Sequence, residues 1–204
     1  MPPMPGIPHV VLEPLQELAT PRTRLRAPVL EDAHALLALY GDPEVMRYVG
    51  QDPLPGVAPM REKLVRDLEA QHRGESARWV LTFPGQLQAV GYLGLFQWSQ
   101  RERRAELGYL LARPHWSQGL MREVLPHVVH FGFTVMRLHR IEARVDPRNT
   151  GSVRLLQRLG FQQEGLLRDA ALSEGKYCDT ALMGLLEDEW GAARPPSPSG
   201  RGPG

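Results

Sequence analysis

Between Arg104 and Leu159 the hydrophobic period of the chain changes repeatedly, and this narrows the fold more than any other feature. Leu107, Tyr109, Leu110 and Leu111 form a short apolar run suited to a buried strand. Pro114-His-Trp-Ser-Gln-Gly-Leu-Met breaks that pattern as a loop, and a long helical pattern follows to about Val135. Pro126 falls inside the helix, where it is expected to kink it or to remove one backbone hydrogen bond. Arg140 to Val145 alternates strictly: Ile141, Ala143 and Val145 on one face, Arg140, Glu142 and Arg144 on the other, the period of a strand. Asn149 to Leu159 is helical again and stops at Gly160. Strand, helix, strand and helix in direct succession exclude a helical bundle and a β-sandwich and leave a mixed α/β domain.

The flanking segments extend the same architecture. Arg22–Arg26 reads as a short strand, and Glu31 to Tyr40 as a helix with Ala33, Leu36, Leu37 and Tyr40 on one stripe. Asp42-Pro43 places proline at the first position of a further short helix through Val49. Met60 to His72 is helical and closes at Gly74; Arg78 to Phe83 and Ala89 to Phe96 are strands joined at Pro84-Gly85. Phe161 begins another strand, and two antiparallel strands, about Gly165–Leu172 and Cys178–Leu186, meet at Ser173-Glu-Gly-Lys. The order β-α-α-β-β-β-α-β-α-β-β predicts about seven strands and four helices in one domain over residues 20–192. Residues 1–19 read as a proline-rich tail, and residues 193–204 as a disordered Pro/Gly/Ser tail.

Composition excludes several functions. The 24 basic residues are balanced by 23 acidic ones, so the chain lacks the basic excess of a nucleic-acid-coating protein. Lys63 and Lys176 are the only lysines; the arginine bias reads first as genome composition, with some guanidinium groups left for phosphate. Cys178 stands alone, which rules out an internal disulfide framework and a thiolate zinc cluster. No apolar run reaches the length of a membrane span, and the N-terminal stretch lacks the apolar centre of a signal peptide. A cytoplasmic monomer or homodimer, with no nucleic acid or membrane as partner, is the expectation.

Chemistry concentrates where the strand through Leu111 turns into the following helix. Such a turn aims unpaired backbone N–H groups and a helix dipole at one point, which suits a phosphate, and Gly119 lets a ligand approach the backbone closely. The loop is neither a Walker loop nor a dinucleotide fingerprint. His127 and His130 lack the frame of a metal site, and no metal is expected. Arg154 and Arg158 suit a solvated helix face, and Trp98 with Arg101, Arg103 and Arg104 suits a surface turn.

The stretch Leu138-His-Arg-Ile-Glu-Ala-Arg-Val-Asp-Pro-Arg-Asn-Thr-Gly-Ser-Val-Arg-Leu-Leu-Gln-Arg-Leu-Gly-Phe closely resembles the GCN5-related N-acetyltransferase (GNAT) superfamily, in its RimJ/RimL-type branch of ribosomal-protein N-terminal acetyltransferases. The loop Trp116–Met121 resembles the pyrophosphate loop of that superfamily. Gly165-Leu-Leu-Arg-Asp, Gly175-Lys-Tyr-Cys-Asp-Thr and Glu189-Trp190 look like the branch's C-terminal hairpin, and Leu25-Arg-Ala with Glu31-Asp32-Ala33 and Asp42-Pro43-Glu44-Val45 like its entry. The resemblance spans roughly Thr20 to Trp190.

It implies a mostly antiparallel twisted sheet with one parallel, splayed pair, acetyl-CoA as co-substrate, and a primary amine as acceptor. The pantetheine arm would pair with Leu110, Leu111 and Ala112; the pyrophosphate would lie on Trp116, Ser117, Gln118, Gly119, Leu120, Met121 and Arg122. Asn149 would cap its helix or bind pantetheine, with Ser152 facing the same wedge. Arg154, Arg158, Arg113 or Arg122 could reach the 3′-phosphate. Two loop positions depart from the family pattern, Trp116 at the first and Met121 at the last. Leu156 replaces the tyrosine that protonates the leaving thiolate in many relatives, which makes Ser152 the candidate substitute, with water as the alternative. Glu142, then Glu106, are the candidate bases; pairing with Arg140, Arg144 or Arg104 is the alternative use of either. Cys178 is not expected to carry an acyl group. The acceptor is expected to be a protein N-terminal α-amine, with a small amine (antibiotic, polyamine or amino acid) as the first alternative and an idle CoA-binding module as the second.

Overall fold

The computed structural model describes residue 12, residues 14–173 and residues 175–192. In chain order the elements are β1 (Leu18–Ala19), β2 (Arg24–Arg26), α1 (Ala33–Tyr40), α2 (Pro43–Met46), α3 (Val57–His72), β3 (Ala77–Thr82), β4 (Gly91–Ser99) and β5 (Arg104–Leu111). They continue with α4 (Leu120–Thr134), β6 (Arg140–Val145), α5 (Thr150–Arg158), β7 (Gln162–Ser173), β8 (Lys176–Leu186) and α6 (Glu187–Ala192). The eight strands make one sheet in the order β1-β2-β3-β4-β5-β6-β8-β7. Every neighbouring pair is antiparallel except β5 and β6, which are parallel because α4 carries the chain back between them.

Strand alternation sends apolar side chains to both faces. Leu93, Leu95, Leu107 and Ile141 pack with Val124, Leu125 and Val128 of α4, whereas Val80 and Tyr92 pack with Leu36 and Leu39 of α1 and Met60 and Leu64 of α3. Each such buried side chain contributes about 1.5–3 kcal/mol. Gly132 sets how closely α4 lies on the sheet: a Cβ there would stand 2.8 Å from Leu95 Cδ1 and 3.0 Å from Ile141 Cδ1. α4 runs through Pro126, which has no N–H to give the carbonyl of Arg122. At α2, Asp42 caps the helix through its side chain, 2.9 Å from the Glu44 amide, with Pro43 at the first position.

Several boundaries differ from expectation. β1 and α6 are additional to the expected elements, and α2, expected from Pro43 through Val49, ends at Met46; together they bring the described residues to eight strands and six α-helices. Leu12 and Leu15 are buried in the core and β1 pairs with β2, so part of the expected tail packs; a long apolar contact is invisible among prolines. Residues 1–11 and 193–204 lie outside the described residues. Trp98 is not at the surface but buried, with its indole N–H unpartnered among the described residues. Among those residues no helix is long and apolar enough to cross a membrane.

Candidate active site

The parallel pair opens into a wedge. β5 and β6 match at three positions only, the last being Glu106 opposite Glu142. Beyond it β5 stays with β4 as far as Leu111, and β6 stays with β8 as far as Val145, so the two halves of the twisted sheet diverge. Backbone groups of residues 107–111 that point towards β6 therefore lack a strand partner, which suits a peptide-like ligand. A cavity of about 1150 Å³ fills the wedge and reaches both faces of the sheet.

At the head of the wedge, Ser117 and Gly119 both adopt left-handed backbone, φ 59° and 76°, and α4 begins at Leu120. Among the described residues the amides of Ser117, Gln118 and Gly119 have no partner, and those of Leu120, Met121 and Arg122 are the free first turn of α4. That set, with the dipole of a fifteen-residue helix behind it, fits a diphosphate. Gln118 holds the loop by donating to the Pro114 carbonyl at 2.7 Å. Arg22 braces it from 96 residues away, donating to the Gln118 carbonyl at 3.1 Å and to Glu123 at 2.7 Å. No local pattern marks Arg22.

Two expected ligand groups are already engaged. The Ala112 amide donates to Val90 O at 2.9 Å and its carbonyl accepts from His115, so Ala112 has no backbone group free for pantetheine; the same register turns the Leu110 backbone towards Tyr92, and the Leu111 amide is left facing the wedge. The Trp116 amide donates to Arg113 O and its indole to Leu111 O, so Trp116 closes the loop and offers no amide to a phosphate.

The two candidate bases separate. Glu142 lies outside the cavity lining, held by Arg140 at 2.8 Å and Arg104 at 3.6 Å, and Arg140 is shared with Glu164. Glu106 lines the cavity with its side chain mostly buried, 3.6 Å from Arg144. Burial pushes its carboxyl above the usual range, Arg144 opposes the shift, and Glu142 adds to it. Two carboxylates level on neighbouring strands thus differ because only one is saturated by guanidinium groups.

On the opposite face of β5, Tyr109 reaches across the wedge, its hydroxyl 2.7 Å from Ser152 Oγ. Burial raises the Tyr109 pKa, with Ser152 opposing, so the phenol stays protonated. Asn149 is a cap, accepting from the Ser152 amide at 3.1 Å, and it too borders the cavity. Leu156 is buried in the core below. A hydroxyl pair across the wedge therefore stands where sequence reasoning found a missing tyrosine; Tyr109 escaped notice because it reads as one more member of an apolar strand. Arg158 and Arg122 border the cavity, while Arg154 does not. Cys178 also borders it, receiving a hydrogen bond from Arg148 at 2.9 Å. His127 and His130 are exposed on α4, and no metal-binding group of three side chains converges among the described residues.

The cavity's other half lies over the α1–α3 face of the sheet, walled by Tyr40, Lys63, Arg78, Tyr92 and Phe96. The β7–β8 hairpin closes over it, Ser173 Oγ donating to the Arg47 carbonyl at 3.2 Å, and from the turn between β6 and α5 Arg148 lies 5.9 Å from the Tyr48 ring centre.

Comparison with known proteins bears on what such a wedge does. A family model described as an acetyltransferase (GNAT) domain matches residues 22–162. The chain is 36% identical over 178 residues to the N-acetyltransferase p20 of Bacillus licheniformis, covering 86% of this chain and 99% of that protein. It is 35% identical over 88 residues to the [ribosomal protein uS5]-alanine N-acetyltransferase of Escherichia coli, covering 43% of this chain and 45% of that protein. The fold superimposes on a spermidine N-acetyltransferase from Vibrio cholerae, in complex with CoA and spermine, with TM-score 0.76 and 24% identity over 84% of this chain and 99% of that one.

Proposed function

Because the chain belongs to the GNAT acetyltransferase family, and is thereby an acetyl-CoA-dependent N-acetyltransferase, we propose that it acetylates an α-amine by direct attack within a ternary complex. The observation that carries this reading is the convergence, on one cavity, of the unpaired β5 edge, the free amides ahead of Arg122, and the buried carboxyl of Glu106. The wedge-facing edge of β5, ending at the Leu111 amide, would receive the pantetheine arm, and Ser117 to Arg122 the diphosphate. Acetyl-CoA supplies an acyl group already activated as a thioester.

The nucleophile must be neutral. A protein α-amine titrates near about 7.7–8.0 and lysine near about 10.4, so an α-amine asks only for a weak base. Glu106, ionised above its raised pKa, takes the amine proton directly or through water. Tyr109, with Ser152 beside it, gives a proton to the departing thiolate and regains it from solvent. Positioning of the amine between these groups supplies most of the rate.

The likeness to the uS5-alanine enzyme supports a protein N-terminus as acceptor, in the manner of the RimJ/RimL-type branch. The closing contact of Ser173 with Arg47 favours a second reading, a small amine admitted beneath the hairpin. Thiol release from acetyl-CoA with Ala- and Ser-starting peptides against small amines tests both. A small amine ahead by orders of magnitude in kcat/KM overturns the protein acceptor. Binding of CoA without turnover of any acceptor overturns the catalytic roles.

A further inference from the structure

The α1–α3 wall of the cavity places two cations around one carboxylate. Asp67 on α3 accepts from Lys63 Nζ at 2.5 Å and from the Tyr92 hydroxyl at 3.0 Å, and its other oxygen lies 3.6 Å from Arg78 Nη2. The charged side chains are largely sequestered, with 19% of Lys63, 11% of Asp67 and 18% of Arg78 exposed. Lys63 is well served, because its ammonium also lies 4.8 Å from the Tyr40 ring centre and 5.4 Å from that of Tyr92.

Arg78 is not. Of its five N–H donors, only Nε makes a hydrogen bond among the described residues, a long one of 3.4 Å to Ser76 Oγ. Its guanidinium stacks on Phe96, 5.1 Å from the ring centre, and borders the cavity. Glycines make this posture available: Gly94, opposite Arg78, lets the arginine stem lie flat, and Gly108, opposite Gly94, lies under the Phe96 ring. A guanidinium at the wall of a cavity, with most of its donors unclaimed by protein groups among the described residues, is placed to take an anion, above all a carboxylate that matches its planar fork.

We propose that Arg78, backed by Lys63, binds a carboxylate carried by the acceptor, so that the substrate is an amine and an acid in one molecule. This rests on the acetyl-transfer reading only for where the amine end lies. Glu106 on β5 and Arg78 on β3 are two strands apart on one face of the sheet, about 10 Å between backbones, with Phe96 of β4 between them, and all three border the cavity. The acceptor spans a short distance from amine to acid, as a free amino acid does, or a peptide N-terminus with an acidic residue next to it. A polyamine would present cations to this wall.

Matched acceptors test it: alanine against alaninamide, C-terminally amidated Ser-Glu peptides against Ser-Gln peptides, and spermidine. At least one acid is expected to exceed its amide at least tenfold in kcat/KM. Arg78→Gln should shrink that gap below threefold while acetyl-CoA affinity holds, and Arg78→Lys, which keeps charge without the fork, should fall between. The responding pair identifies the source. Parity of acid and amide in both pairs, or spermidine as the fastest acceptor, overturns the proposal. Calorimetric titration of the same compounds reads the site without transfer. Arg78-dependent binding of acid over amide supports it even if no acceptor turns over, an outcome that would count against acetyl transfer instead; equal binding overturns it.

Discussion

Replacing Tyr109 with phenylalanine separates a structural from a catalytic use of the hydroxyl pair in the wedge. The ring stays and one 2.7 Å hydrogen bond to Ser152 is lost. A neutral hydrogen bond of this kind is worth about 0.5–1.5 kcal/mol net, and Ser152 borders a cavity that admits water, so its hydroxyl finds a replacement partner. For a chain of this size that corresponds to a fall of roughly 2–4 °C in Tm per kcal/mol. Proton donation to the departing thiolate is a different order of effect: general acid catalysis contributes about 10²–10⁴-fold, or roughly 3–5 kcal/mol of barrier. Thermal unfolding and kcat at saturating acceptor are therefore measured on Tyr109→Phe, Ser152→Ala and the double variant. The expected result is a small change in Tm with kcat down at least a hundredfold. Because the two hydroxyls act as one unit, the second substitution should cost little beyond the first. Retention of kcat within about threefold, alongside the expected Tm shift, would refute the proton-donor role.

Glu106→Gln should abolish the rise of kcat/KM with pH that the wild type shows as the carboxyl ionises, above the usual carboxylate range because burial raises its pKa. The same shift costs stability: from about pH 4.3, where an unfolded glutamate ionises, upward through the folded pKa, the folded chain holds its proton more tightly and loses stability. The Tm of Glu106→Gln relative to wild type should thus climb between pH 4 and pH 7; a difference constant with pH would show that the shift is absent. Gly119→Val forces a β-branched residue to φ 76° at a strain of about 1–2 kcal/mol and sets a side chain among the diphosphate amides. Calorimetry should show CoA affinity down more than tenfold, and unchanged affinity would move the diphosphate elsewhere. Gly132→Ala places a methyl within 3.2 Å of three core side chains, and overpacking of about 1–3 kcal/mol, less up to about 1 kcal/mol of helix propensity, should lower Tm without touching CoA affinity.

The proposed cofactor half of the site can be read from local sequence and the proposed acceptor half cannot, and the difference is physical. A loop that turns a strand into a helix exposes its amides by local geometry, so the glycine and the change of period suggest a phosphate there, and the family resemblance narrows it to a diphosphate. Trp116, expected in the diphosphate loop, and Ala112, expected to meet pantetheine, instead spend their amides on a tight turn and a cross-strand bond, which residue types do not encode. The acceptor half is built by tertiary contacts. Glu106 and Glu142 share a face and a register level, and what divides them is that Arg140 and, from the neighbouring strand, Arg104 hold Glu142 while Arg144 alone lies beside Glu106. Lys63 and Asp67 sit four apart on α3, the pattern of a solvated helical ion pair. It is the arrival of Tyr92 and Arg78 from two strands that turns this pair into a sequestered cluster with one cation too many. An i,i+4 pair reads identically in either setting, so acceptor preference in a fold of this kind follows from which strand residues meet the helix, and Arg78 is the position at which that dependence should be strongest.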